Sequence, residues 1–337
     1  MRRSSKIQLI ILDNLVWVLL LLFFVFNAVN TPAFFTLRNQ INILFQSSLV
    51  GMLVLAQGIV MMVGELDLSI DSTLAFAPGV TILLATSVFP MSPALCIILT
   101  LIIGMLVGLF NGVFVAKIKA NSFLLSLSTQ IVMRGMILFL VPFSLAGLDP
   151  LYAYLGRGRI GSLFPVAAIA FVLIFFIFEF IFRKTVFGRR FMLTGGNRRA
   201  SFISGINTDR VIILAFVIAG MLAAVAGLIA AGRQNAVSNN MGAGLVMMAF
   251  AGAILGGCSF KGGVGKPIGM LGGALLLGTI DNALTLLNVN VNLVSATKGG
   301  LIFLAILLDQ ARFKLNELIM YKENIRKLAG QNPDAGA

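Results

Sequence analysis

The feature that most constrains this chain is its succession of long apolar runs, with charged residues falling mostly in the short breaks between them. A helix needs roughly 20 apolar residues to cross the hydrocarbon of a bilayer. Hydropathy and breaker residues predict ten such spans, at 10–29, 41–63, 73–89, 94–116, 122–142, 163–182, 211–231, 244–257, 267–287 and 294–309. The eighth is short, as a tilted or broken helix would be. Only 11% of the 337 residues are charged, less than half of the roughly 25% typical of soluble domains. Together with 59% hydrophobic residues and a mean hydropathy of +1.02, this excludes a soluble enzyme, a disordered chain and a disulfide-stapled secreted domain. A lipid-facing β-barrel is excluded too, because its strands would alternate polar and apolar residues.

The net charge of +13 would suggest nucleic acid in a soluble protein, but here it is unevenly divided. With the N-terminus placed in the cytoplasm, the inner segments carry 19 Lys and Arg, and the outer ones only Arg38, Arg157, Arg159 and Arg233. That asymmetry is the positive-inside signature, so both termini are expected in the cytoplasm and no nucleic-acid partner is expected. The basic start, Met1 to Lys6, resembles a signal peptide, yet no small-x-small cleavage site precedes Asn30-Thr31-Pro32, so the first run reads as a retained span. No second folded domain is expected. Residues 1–311 form one transmembrane unit, its longest hydrophilic loop (183–210) being too short to fold alone. Residues 312–337 read as a cytoplasmic surface helix and a frayed tail.

The chain has no His and only Cys96 and Cys258, so a His- or Cys-built metal centre is not expected. Three loops stand out. In the first, Gly64-Glu65-Leu66-Asp67-Leu68-Ser69-Ile70-Asp71-Ser72, three carboxylates lie between apolar runs. Ser69 or Asp71 is placed to cap the next helix. The alternatives are a gate, a partner surface or a proton relay. In the second, Phe187-Gly188-Arg189-Arg190 leads to Thr194-Gly195-Gly196-Asn197-Arg198-Arg199-Ala200 and on to Ser204-Gly205-Ile206. Gly195-Gly196 permits a bend, Asn197 can cap a short helix over 198–203, and Gly205 ends it. The result is a basic helical knuckle, either ordinary positive-inside charge or a docking knob for a cytoplasmic protein.

The third loop, Gly256-Gly257-Cys258-Ser259-Phe260-Lys261-Gly262-Gly263-Val264-Gly265-Lys266-Pro267, superficially suggests a phosphate loop. It fails that pattern, because Lys266 is followed by Pro267 rather than Ser or Thr. It reads instead as a tight turn, with Pro267 opening a helix. Within the spans lie Asn111, Arg134, Glu179, Asp281, Asn282, Thr285 and Lys298, each either a satisfied interhelical group or part of a solute path. Arg134 and Lys298 are expected to face a cavity or a carboxylate. Asp67, Ser69, Asn111, Asp281, Asn282 and Thr285 are the candidates for the path.

These three loops, in this order, resemble the inner-membrane permease subunit of bacterial ATP-binding-cassette importers of the ribose and xylose class. Asp281-Asn282-Ala283-Leu284 and the run from Lys298-Gly299-Gly300 to Leu308-Asp309 extend the likeness over nearly the whole chain. The resemblance implies an all-α polytopic protein of the inner membrane. It also implies a second permease copy or a similar one, a cytoplasmic ATPase subunit and a sugar-binding protein outside. Gly188, Gly195, Gly196, Asn197, Arg198, Ala200 and Gly205 would then form the element coupled to the ATPase. This chain would bind no cofactor, ATP and Mg being used by the partner. Arg198 stands where the family usually has an acidic residue, and Asp71 where it has Gly. A competing reading is an ion-coupled carrier using Glu65, Asp67 or Glu179.

Overall fold

A computed structural model describes residues 14–161 and 163–290, with isolated positions beyond as far as Tyr321. The chain enters as α1 (Leu15–Asn30), α2 (Leu37–Met62), α3 (Ile70–Ser87), α4 (Pro93–Lys117) and α5 (Ser122–Leu140). An excursion follows, with β1 (Leu145–Ala146), α6 (Tyr154–Arg157), β2 (Arg159–Ile160) and β3 (Phe164–Pro165). Next come α7 (Val166–Lys184), α8 (Val186–Gly196), α9 (Arg198–Ile203) and α10 (Thr208–Gln234). Last are β4 (Ala236–Val237), α11 (Leu245–Leu255) and α12 (Pro267–Leu286).

Helix starts follow from short polar side chains that satisfy the first free backbone donors. Thr36 accepts from the Asn39 amide at 3.3 Å before α2, and Asn121 accepts from Leu124 at 3.1 Å before α5. Asn207 accepts from Arg210 at 3.0 Å before α10, which ends where Asn235 turns left-handed at φ 49°. The expected cap on α3 differs. Ser69 occupies the cap position but makes no side-chain cap bond, because its hydroxyl is engaged with Asp67 and Asn111.

Seven of the described helices (α2, α3, α4, α5, α7, α10 and α12) are long and apolar enough to cross a membrane, and α1 and α11 are shorter apolar helices. The all-α polytopic class therefore stands, and the eighth expected span is the 11-residue α11. The tenth expected span and the C-terminal helix lie outside the described residues, apart from isolated positions.

α2 runs through the centre and is buried without interruption from Gly51 to Met62. α4 and α10 approach most closely through small residues. A Cβ on Gly104 would lie 2.5 Å from the Gly220 carbonyl oxygen, and one on Gly108 would lie 2.1 Å from that of Phe216. Without a hydrophobic drive inside lipid, such close backbone contact supplies much of the association between spans. Two antiparallel pairs of two-residue strands, β1 with β4 and β2 with β3, tie down the turns after α5 and α10.

Candidate functional site

The three loops singled out in the sequence meet at one end of α2. That helix ends at Met62, and Gly64 follows at φ 80°. The Gly263 amide donates to the Met62 carbonyl at 3.0 Å. A Cβ on Gly195 would stand 2.0 Å from that same oxygen and 2.6 Å from the Gly263 nitrogen. A Cβ on Gly262 would meet Gly64 Cα at 2.7 Å and the Gly195 carbonyl at 2.8 Å. The three backbones therefore touch directly, with glycine at each point of contact. Gly188 makes the preceding fold-back possible, since a Cβ there would lie 2.1 Å from the Phe182 carbonyl oxygen.

The knuckle forms as expected. Asn197 Oδ1 accepts from the Ala200 amide at 2.9 Å, α9 spans 198–203, and Gly205 leaves it at φ 82°. Arg198 points inward rather than to solvent. Its guanidinium lies 3.0 Å from Asp209 and 3.5 Å from Glu65, and it donates to the Ala116 carbonyl at 3.2 Å. Lys119 also holds Asp209, at 2.9 Å. Four charges thus lock α9 onto the start of α10, the end of α4 and the 63–69 segment. Burial raises the Glu65 carboxyl above its ordinary range, opposed by a Ser122 hydrogen bond and by Arg198 and Lys119.

With Arg198 turned inward, the outer face of the knuckle presents two large apolar side chains beside the exposed Arg199. Phe202 is 68% and Ile203 76% exposed. Beside them runs a groove of about 400 Å³ lined by Phe202 and residues 205–209. The sequence reading missed these two side chains as site residues, although a Phe-Ile pair inside a basic hydrophilic loop was a signal for them.

The path candidates separate into two groups. Asp67, Ser69 and Asn111 are buried and joined. Ser69 donates to Asp67 at 2.6 Å from its hydroxyl and at 2.8 Å from its amide. Asn111 donates to Ser69 at 2.9 Å and accepts from Thr129 at 2.8 Å. Leu66 and Leu68 donate to Ser122 and Ser126 on α5 at 3.2 and 3.0 Å, so this segment is sewn to α4 and α5. Burial pushes the Asp67 carboxyl up to about 6, against the Ser69 hydrogen bonds.

Asn282 instead exchanges two hydrogen bonds with Asn39, at 3.0 and 2.9 Å, between α12 and α2. The exposed Thr285 hydroxyl donates to the Asp281 carbonyl at 2.7 Å. Asn39 and Met62 are 23 residues apart on one helix, about 35 Å, so the two groups sit at opposite ends of α2. Glu179 accepts from the Ile268 amide at 3.0 Å, which caps the Pro-led start of α12.

A bundle of spanning helices with a glycine-jointed knuckle locked to its end defines the class as a polytopic permease. The chain belongs to the family described as branched-chain amino acid transport system / permease component, whose model matches residues 39–307. It is 35% identical over 83% of its length to 87% of the ribose import permease protein RbsC of Bacillus subtilis. It is 33% identical to the L-arabinose ABC transporter permease protein AraH of Azospirillum brasilense, over 92% of this chain and 91% of that one. With the galactose/methyl galactoside import permease protein MglC of Salmonella typhimurium the identity is 29%, over 88% and 94%. No solved structure matches the chain significantly.

Proposed function

We propose that this chain is the membrane-spanning subunit of an ATP-binding-cassette importer, moving a sugar or similar polyhydroxylated solute into the cytoplasm. The relatives named for ribose, arabinose and galactose import support the solute class. The single observation that carries the mechanism is the exposed Phe202–Ile203 tip on a helix that ion pairs tie to the transmembrane bundle. On this reading the tip seats in a groove of a cytoplasmic ATPase subunit, which binds ATP and Mg, while this chain binds neither. A second permease copy or a similar one completes the path, and a sugar-binding protein delivers solute from outside. The positive-inside count supports a cytoplasmic location for both termini, which on this reading goes with an even number of spans, ten, in the inner membrane. Gly188, Gly195, Asn197, Arg198, Ala200 and Gly205 set the position of the tip, while Gly196 has room for a side chain. ATP-driven closure of the ATPase pair then moves the knuckles, and the glycine junction passes that motion to α2, α3 and α12.

The test is Ile203→Asp, alone and with Phe202→Ala, in membranes containing the ATPase. Loss of ATPase co-purification and of uptake, with the permease still inserted, is the expected outcome. Retention of both refutes the coupling assignment. The ion-coupled reading has less support, because Glu65 is ion-paired and Glu179 caps a helix. Uptake driven by an ion gradient in ATP-depleted vesicles would revive it.

A further inference from the structure

One polar set at membrane depth lies outside the coupling junction and outside both groups of path candidates. Arg134 is twelve residues beyond Ser122 in α5 and six before Leu140, hence about 18 Å and about 9 Å from the two ends. A guanidinium at that depth is costly against lipid. Its Nη1 donates to the Asn239 and Met241 carbonyls, each at 3.0 Å. Its Nη2 donates to the Asp71 carbonyl at 3.2 Å and lies 3.8 Å from the Asp71 carboxylate. Gln130, one turn away, donates to Asp71 Oδ1 at 2.8 Å, and the Gly244 amide donates to Oδ2 at 3.2 Å.

The backbone supplies the second observation. Residues 238–244 leave β4 as irregular chain and reach the level of Arg134 before α11 begins. α11 has 11 residues, about 16 Å, half of the roughly 30 Å hydrocarbon thickness. It is a half-helix, with its N-terminus on the Asp71 carboxylate and the first turn of α3 beside it. Irregular backbone at membrane depth is tolerated only where it is buried in protein or lines a water-filled cavity. Here Asn240, Ala243 and Gly244 are exposed on the single chain, and Gln130 and Arg134 are half-buried beside them. On the importer reading, in which a second permease copy closes around one path, that face borders the path.

We propose that Gln130 and Arg134, with the backbone of residues 239–244 and positioned by the buried Asp71 carboxylate, form a solute-contact site for a neutral polyhydroxylated molecule in the translocation path. The guanidinium offers donors, the backbone carbonyls offer acceptors and the Gln130 amide offers both, which is what hydroxyl groups, themselves donors and acceptors, require. The Asp71 and Arg134 charges offset one another, so the site has no net charge to favour an ion. The inference rests on the importer reading and names residues within it.

The test is thiol accessibility in the assembled importer, permease with ATPase and binding protein, in membrane vesicles. Gln130→Cys and Asn240→Cys are introduced separately on a Cys96→Ser, Cys258→Ala background, both native thiols being buried. A charged methanethiosulfonate is the aqueous reagent, and D-ribose, L-arabinose and D-galactose are the probes, with uptake of each sugar measured in parallel in the Cys96→Ser, Cys258→Ala parent that keeps Gln130 and Asn240. Aqueous labelling of both positions is expected. A transported sugar at about ten times its Kd is expected to slow it about tenfold, as the unoccupied fraction falls. No aqueous labelling, or reaction only with a lipid-soluble maleimide, overturns the proposal. Labelling that no sugar slows, while one of them is taken up, overturns the contact site and leaves the importer reading standing. If none of the three is taken up and none protects, the sugar reading fails and the site falls with it.

Discussion

Gly195 lies directly against the carbonyl oxygen of Met62, 2.0 Å from where a Cβ would stand, while the nearest atom to a Cβ on Gly196 is Gly263 Cα at 4.0 Å. The two glycines are adjacent in sequence and unequal in space. Gly195 is where α8 closes on the end of α2, so it holds the knuckle to the transmembrane bundle.

Gly195→Ala should therefore separate the two loops and reduce uptake by at least about tenfold, a loss of about 1.4 kcal/mol or more in the coupled step. Gly196→Ala should leave uptake near the native rate. Transport in vesicles with matched permease content decides it, and equal effects from the two substitutions would refute the assignment.

The Arg198–Asp209 pair has both partners about one-third or more exposed, so solvent screens it. A double-mutant cycle with Arg198→Ala and Asp209→Ala, read by thermal unfolding in detergent, should give about 0.5–1 kcal/mol of coupling. The value should shrink when salt is raised, because screening weakens partly exposed pairs.

Asp67 gives a pH dependence with a defined sign. Its folded pKa of about 6 lies above the ordinary 3.8, so between those values the folded protein binds more protons than the unfolded one. Stability should then be highest below about pH 4, fall as pH rises toward 6, and level off above it. Asp67→Asn keeps an acceptor for both Ser69 donors and should flatten this slope and raise stability at pH 7.5 by about 1–3 kcal/mol. Thermal melts across pH 4–8 provide the measurement.

Asn282→Ala should leave the buried Asn39 amide without its reciprocal partner and destabilise the protein by about 1–3 kcal/mol. The double replacement Asn39→Leu, Asn282→Leu should cost less than the single substitutions predict together. If Asn282 is a packing pair rather than a solute contact, uptake should fall with the amount of folded protein while the apparent KM stays constant.

Much of the architecture was legible before any coordinates. The apolar runs of α2, α4, α7 and α10 had to be spanning helices, because 20 apolar residues in a row have no other low-cost environment. Asn197 and Pro267 marked helix starts, because a cap and a proline act within one turn. Ser69 did not cap its helix. Its hydroxyl was claimed by Asp67 and by Asn111, 42 residues away, and local patterning carries no information about such a partner. The two-residue strand pairs were invisible for the same reason.

The site divides along the same line. The sequence by itself determined that this chain crosses the membrane many times, where its breaks fall, and that three glycine-marked loops carry its special geometry. Burial in lipid and the conformational demands of turns are local, additive properties of residue type. Only the tertiary structure decided that the three loops touch at Met62 and that Arg198 turns inward to leave Phe202 and Ile203 outside. It also decided that Arg134 meets Asp71 above the N-terminus of a half-helix. Those facts depend on which distant backbones come within about 3 Å of one another, and the packing of the whole bundle sets that.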